Sequence, residues 1–263
     1  METTGILDGK GLSEQIKGEV AQEVTAWVNQ GHRPPHLAAV LVGEDGASKT
    51  YVDHKVRSCA RVGFESTLIV RPADIEQSEL LEIVHGLNEN PNIDGFIVQL
   101  PLPDHLDAQA VTEAIAPQKD VDGFHPVNVG RLMIGGDEVR FLPCTPAGIQ
   151  EMIVRSGTET SGAEVVVVGR SNIVGKPMAQ LLLGDSCSVT IAHSRTKNIE
   201  ALCRSADIVV AAVGRPEMIT GDWIGQGATV IDVGINRIPH PEKEGKFKLV
   251  GDVHFASAVE KAG

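Results

Sequence analysis

The sequence predicts an α/β chain of two domains, and three observations carry that prediction. Apolar runs of strand length alternate with segments of helical periodicity through the first half. The pattern breaks off among turn-forming residues at positions 135–146 and restarts at Glu164-Val-Val-Val-Val-Gly169. At 263 residues the chain is long enough for two domains, each with its own core.

The elements follow in order. Leu37-Ala-Ala-Val-Leu-Val42 reads as a strand, Ser48 to Val62 as a helix and Thr67 to Val70 as a short strand. Leu80, Ile83, Val84 and Leu87 fall on one helix face. Gly95-Phe-Ile-Val-Gln-Leu100 reads as a strand that stops at Pro101 and Pro103, since proline cannot donate to a central ladder. The chain therefore leaves the sheet beside Gln99. Ligands of open parallel sheets lie outside the carboxyl ends of the strands, so Gln99, the proline turn and the Lys119–Pro126 loop belong to the functional edge.

Gly135-Gly-Asp-Glu138 and Pro143-Cys-Thr-Pro146 place the boundary near residue 144, giving domains 1–143 and 144–263. The second domain reads as strand 164–168, helix 175–183, strand 188–192, helix 197–205 and strands 207–213 and 228–233. That order is Rossmann-like.

Composition excludes several classes of function. Lys and Arg number 23 against 35 Asp and Glu, a formal charge of -12, which argues against a nucleic-acid or anionic-membrane footprint. Aromatic residues are only 3%, too few for base-stacking platforms. Cys59, Cys144, Cys187 and Cys203 show no C-x-x-C spacing and fit reduced thiols, and His54 and His125 lack a second ligand at useful spacing, so no metal is expected. With neither a leader-like start nor an apolar run of about 20 residues, a soluble cytoplasmic protein is the expectation.

Strand 164–168 runs into Gly169-Arg-Ser-Asn-Ile-Val-Gly175, and Lys176-Pro177 opens a helix. Glycines at a strand end and helix entry let backbone approach a phosphate, where free amides and the helix dipole favour negative charge. The fingerprint is irregular, because Ser171 stands where the middle glycine of G-x-G-x-x-G belongs and the last glycine comes one residue late. A free ribose 2′-hydroxyl is usually met by Asp or Glu after the next strand, but this chain has His193-Ser194-Arg195 there. With Arg170 nearby, that favours a 2′-phosphate and hence NADP. The bland alternative is a tight turn flanked by solvated basic residues.

In Tyr51-Val-Asp-His-Lys55 a lysine follows a tyrosine by four residues, so an aromatic surface and a titratable amine share one helix face. With Gln99-Leu-Pro-Leu-Pro103 and Lys119-Asp-Val-Asp122-Gly123, the pairing points to chemistry on a flat, nitrogen-rich molecule. The bland readings are a solvated Lys55, a Tyr51 ring plugging the core, a Gln99 amide bonded to loop backbone and an Asp122 turn carboxylate.

Taken together these segments resemble the bifunctional methylenetetrahydrofolate dehydrogenase/methenyltetrahydrofolate cyclohydrolase family. Leu7-Asp-Gly-Lys10, Tyr51-x-x-x-Lys55, Val98-Gln-Leu-Pro-Leu-Pro103, Lys119-Asp-Val-Asp-Gly-Phe124, Pro143-Cys-Thr-Pro146, Gly169-Arg-Ser, Val230-Ile-Asp-Val-Gly-Ile-Asn236 and Gly251-Asp-Val253 carry the likeness across nearly the whole chain. The resemblance implies an N-terminal αβα catalytic domain and a Rossmann-like NADP-binding domain with a cleft between them, acting on a small-molecule folate as a homodimer. It implies no nucleic-acid or membrane partner.

By the same resemblance Lys55 is the acid/base, Gln99 its hydrogen-bond partner, Tyr51 the wall of the folate site and Asp122 the pterin anchor, with Leu100 and Pro101 beside the substrate. Cys144 and Thr145 resemble positions near the nicotinamide, although a free cysteine is as readily a packing residue. Arg170, Ser171, Ser194 and Ile235 resemble cofactor contacts, and Gly169, Ile173, Val174, Gly175, His193 and Gly214 complete that set. Chemistry agrees with these roles. Hydride transfer needs alignment more than it needs a base, whereas opening the methenyl ring needs proton transfers that a neutral amine can assist. Asp120 is expected to fix the loop that carries Asp122.

The family continues past Gly263 into a Pro/Gly-rich loop and a final helix, so the resemblance implies exposed apolar surface and a loosened site where the chain stops. Other functions stay open on the residues alone: a dehydrogenase without cyclohydrolase activity, a dinucleotide-binding protein with a vestigial folate site, or a shikimate-dehydrogenase-like oxidoreductase.

Overall fold

The computed structural model describes residues 5–43, 46–240 and 245–263, with the Ala47 side chain left aside. It divides into two compact units, Asp8–Leu142 and Pro143–Gly263, the latter joined by residues 5–7.

The N-terminal unit runs α1 (Gly9–Asn29), β1 (His36–Val42), α2 (Gly46–Val62), β2 (Glu65–Arg71), α3 (Gln77–Glu89), β3 (Gly95–Val98), α4 (Ala108–Ala114) and α5 (Pro126–Ile134). Its sheet is parallel in the order β2-β1-β3, with Ala39 opposite both Leu68 and Ile97. Every residue from Ala38 to Val42 is buried, as expected of a central strand covered on both faces. Ala38, Val40 and Val42 face Leu80 and Val84 of α3 and Val111 of α4, while Ala39 and Leu41 face Val52 of α2. The sheet thus lies between helical layers, an αβα arrangement. β1 sits centrally with β2 and β3 on opposite sides, so strand order reverses at its carboxyl end, from which α2 leads away.

β3 ends at Val98, two residues earlier than the sequence pattern predicts, and the Leu100–Pro101 peptide is cis. Gln99 keeps one ladder bond, its N–H donating to Val40 O at 2.9 Å, before the prolines take the chain out of the sheet. α1 was not foreseen at all. Asp8 caps it by accepting from Gly11 N, but Val24 is its one buried residue, so its sequence shows little of the periodicity that marks a core-facing helix.

The C-terminal unit runs α6 (Cys144–Arg155), β4 (Glu164–Val168), α7 (Gly175–Gly184), β5 (Ser188–Ala192), α8 (Ile199–Arg204), β6 (Ile208–Ala211), a single 3-10 turn (Gly221–Trp223), β7 (Thr229–Asp232), β8 (Asn236–Pro239), β9 (Phe247–Val250) and α9 (Phe255–Ala258). The main sheet is parallel in the order β5-β4-β6-β7, with a separate antiparallel β8-β9 pair. Strand order reverses at β4, so the loops after β4 and β6 meet at the switch point. Cys203 and Ile199 of α8 cover one face of the sheet, and α7 packs on β4 and β5 with α6 against it. Among the described residues no helix is long and apolar enough to cross a membrane.

Candidate functional site

In the N-terminal unit the candidate residues gather at the carboxyl end of the sheet. Tyr51 and Lys55 lie one turn apart on α2, the helix that follows β1. Tyr51 is 51% exposed, which removes the reading of its ring as a core plug. Lys55 Nζ stands 3.9 Å from Asp122 Oδ1, with side chains 36% and 20% exposed. That neighbour is a departure from the sequence reading, which gave Asp122 to the pterin alone. His54 is exposed on α2, and the Nδ1 of His125 caps α5 by accepting from Val127 N.

Asp122 is placed by backbone. Phe96 N donates to Lys119 O at 2.9 Å, and a parallel bridge joins Phe96 to Asp120, so residues 119–121 lie along the free edge of β3. Gly95 makes this approach possible, because a Cβ there would collide with the Val121 side chain. On one side Lys119 Nζ donates to Leu87 O and Asn90 O at the end of α3, and burial there pulls its ammonium below the ordinary lysine range. On the other, the buried Asp120 accepts from His125 N and Asn128 Nδ2, both at 2.8 Å. Burial pushes the Asp122 carboxyl above the usual carboxylate range, Lys55 draws it part of the way back and Asp120 adds a smaller upward push.

Gln99 donates from Nε2 to Leu100 O at 2.6 Å, while its Oε1 is buried without a hydrogen-bond partner among the described residues. A buried amide oxygen left unpaired costs about 1–3 kcal/mol, so the free protein holds an acceptor ready for a donor. Leu100 is half-buried and Pro101 exposed beside it.

In the C-terminal unit the turn after β4 is built for close approach. Gly169 has φ +140°, and a Cβ on it would strike Ala212 O, while one on Gly175 would strike Gly169 O. Ser171 Oγ accepts from Val174 N at 3.1 Å and Gly175 N at 3.2 Å, so the amides at the helix start are taken up by the chain itself. The backbone N–H groups of Arg170, Ser171, Asn172 and Ile173 have no partner among the described residues. These amides, rather than those at the helix start, are the ones open to an anion.

Gly169 N donates to Ala192 O at 2.8 Å, which sets the Gly169–Arg170 corner beside the turn that begins at His193. That turn is closed by His193 N on Thr196 Oγ1 and by Arg195 N on His193 Nδ1, leaving the side chains of Ser194 and Arg195 exposed. Arg170 is exposed too, and neither guanidinium has an ion-pair partner among the described residues. Two unpaired cations, a hydroxyl and open amides on adjoining turns fit the phosphates of a dinucleotide. Cys144 and Thr145 open α6 as exposed residues, which excludes core packing for the thiol. Ile173 is exposed and Val174 half-buried ahead of α7, and Gly214, at φ +65°, and Ile235 are exposed after β6 and β7.

The comparisons decide the family. Residues 7–122 match the catalytic domain of tetrahydrofolate dehydrogenase/cyclohydrolase, and residues 143–263 match its NAD(P)-binding domain. The chain belongs to this family. It is 56% identical over 260 residues to bifunctional protein FolD 1 of Mesorhizobium japonicum, covering 98% of this chain and 87% of that protein. Among solved structures it is similar to the bifunctional FolD enzyme of Campylobacter jejuni (39% identity, TM-score 0.92, 98% and 89% of the two chains). It is also similar to the Trypanosoma brucei dehydrogenase-cyclohydrolase complexed with NADP cofactor and inhibitor (38% identity, TM-score 0.93, 100% and 89%).

Sequence reasoning missed one group beside these residues, the buried Asp252 and the exposed Asp232 that is bonded to its backbone. Asp252 was read only as part of the Gly251-Asp-Val253 motif; an acid flanked by glycine after a strand is itself a signal for a carboxylate that caps backbone amides.

Proposed function

We propose that this protein oxidises 5,10-methylenetetrahydrofolate to 5,10-methenyltetrahydrofolate with NADP and hydrolyses the product to 10-formyltetrahydrofolate at the same folate site. The observation that carries this reading is the Lys55–Asp122 pair at the carboxyl edge of the first sheet, one turn from the half-exposed Tyr51. It stands within a chain that matches the bifunctional family in both units.

Asp122 accepts paired hydrogen bonds from the pterin ring N–H and amino group, which a carboxylate does and a neutral amide does only in part. Tyr51 supplies the apolar wall against which the ring system lies. Bound NADP supplies the hydride acceptor, and the protein's part in that step is alignment. Arg170 and Ser194 hold the 2′-phosphate, and the open amides of residues 170–173 meet the diphosphate.

Ring opening starts from a methenyl cation that water attacks. Lys55 relays the proton of the attacking water to the departing ring nitrogen. Gln99 Oε1, buried and unpaired, accepts from the Lys55 amine and fixes its direction without adding a charge. Once pterin donors engage Asp122, the carboxylate next to Lys55 is committed to substrate.

The reading extends to a cytoplasmic homodimer in one-carbon metabolism that supplies purine biosynthesis, on the strength of the family resemblance. One experiment tests the central claim: methenyl absorbance is followed during turnover with NADP and with NAD supplied separately. Transient methenyl formation and decay, faster with NADP, is the expected result. Methenyl that accumulates without decay would favour a dehydrogenase alone.

A further inference from the structure

Asp252 is wholly inaccessible, in the turn between β9 and α9, and the proposed chemistry has no use for it. Its Oδ2 accepts from Val213 N at 2.7 Å and Gly214 N at 2.9 Å, and its Oδ1 accepts from Arg215 N at 2.9 Å and Asn236 Nδ2 at 2.8 Å. Three successive amides wrapped on one anion form a nest. With four donors its lone-pair sites are filled, as a buried carboxylate requires.

The carboxylate is itself held in place. Asp232 accepts from Asp252 N at 2.9 Å, from Val253 N at 3.1 Å and from Gly234 N at 2.9 Å. A Cβ on Gly234 would collide with the Asp252 carboxylate, and one on Gly251 with that of Asp232, so both glycines are demanded by the acids. The Asp252 carboxylate is thereby tied to two turns at the carboxyl ends of neighbouring strands: residues 213–215 after β6 and residues 234–236 after β7.

Those turns carry Gly214 and Ile235. We propose that Asp252 is a positioning residue for the dinucleotide, locking the two turns into one arrangement so that Gly214 and Ile235 meet the ligand together. This rests on the reading above that those two residues contact NADP. The amides of residues 213–215 are turned inward and consumed, so this turn offers no nest to a phosphate. The part of the dinucleotide it receives is therefore a neutral ring or ribose, in contrast to the open amides after β4.

The test uses the whole protein, with Asp252→Asn, which keeps the shape but sets an amide N–H2 against backbone donors, and Asn236→Ala, which removes one donor of four. The readouts are KM for NADP in oxidation, kcat and KM for hydrolysis of preformed methenyltetrahydrofolate without NADP, and wild-type amide exchange with and without NADP. Expected are NADP protection of 213–215 and 234–236, a KM for NADP raised about 30-fold in Asp252→Asn and about 5-fold in Asn236→Ala, and unchanged hydrolysis in both. Protection in the wild type with KM for NADP within twofold in both variants would overturn the positioning role and leave the contact reading intact. No protection in the wild type would remove the contact reading and the proposal with it. Should Asp252→Asn lose hydrolysis as well, it has lost its fold, and Asn236→Ala alone decides.

Discussion

Asp122→Asn separates anchoring from folding. An asparagine keeps the size but presents an amide N–H2 where the pterin brings its own donors, so one charge-assisted bond, about 1.5–3 kcal/mol, is exchanged for a donor facing a donor. A fifth of the Asp122 side chain stays in water, which discounts the loss. About 2 kcal/mol remains, roughly a 30-fold rise in KM for methylenetetrahydrofolate, with KM for NADP unchanged. Stability moves the other way. The folded protein holds the Asp122 proton more tightly than the unfolded chain does, so the group contributes stability at low pH that is lost as pH rises through its raised value. At neutral pH the substitution should raise Tm by about 1–3 °C. Initial rates read from methenyl absorbance, repeated across pH, and a thermal melt measure all of this. Wild-type 1/KM for folate should climb through an inflection above the ordinary carboxylate range, and the inflection should vanish in the variant. A folate KM within threefold of wild type would refute the anchoring argument.

Other substitutions reach the remaining groups. Lys55→Met should slow hydrolysis of methenyltetrahydrofolate by about 10²–10⁴-fold while NADP binding by calorimetry stays intact; full hydrolysis would remove Lys55 from the mechanism. Arg170→Ala combined with Ser194→Ala should raise KM for NADP about 10–100-fold and KM for NAD less than threefold, and equal losses would count against 2′-phosphate recognition. Gly175→Ala places a methyl 2.6 Å from Gly169 C and 2.8 Å from Arg170 N, rigid backbone that must move, so Tm should fall by several degrees and NADP binding weaken. An unchanged melt would show that the start of α7 yields more easily than this packing implies.

Much of the fold was legible because central parallel strands are apolar on both faces. β4 falls where the Val-rich run predicts and β1 begins one residue early, while the edge strand β5 falls at its predicted 188–192 although it is largely exposed. What escaped lacks that signal. α1 buries one residue within its unit, and α4 is a single seven-residue segment between prolines. The β8-β9 pair is half exposed, so its alternation is weak. Of the candidate site, local motifs revealed the amine, the acid and the glycine corner. Hydrogen bonds between distant segments were not legible: Lys55 beside Asp122, Ser171 turned onto its own helix start, and Asp252 joined to residues 38 and 39 positions away.

The clamp around Asp122 bears on how the substrate is paid for. With Lys119 bonded to the end of α3 and Asp120 bonded to the start of α5, the intervening loop surrenders its freedom when the chain folds, before any ligand arrives. Under the proposed anchoring, a pterin meeting that carboxylate orders little beyond itself, so the attraction goes into orientation instead of into stiffening a mobile segment. Loosening either tether should therefore weaken folate capture through entropy alone, with every group that touches the ring still present.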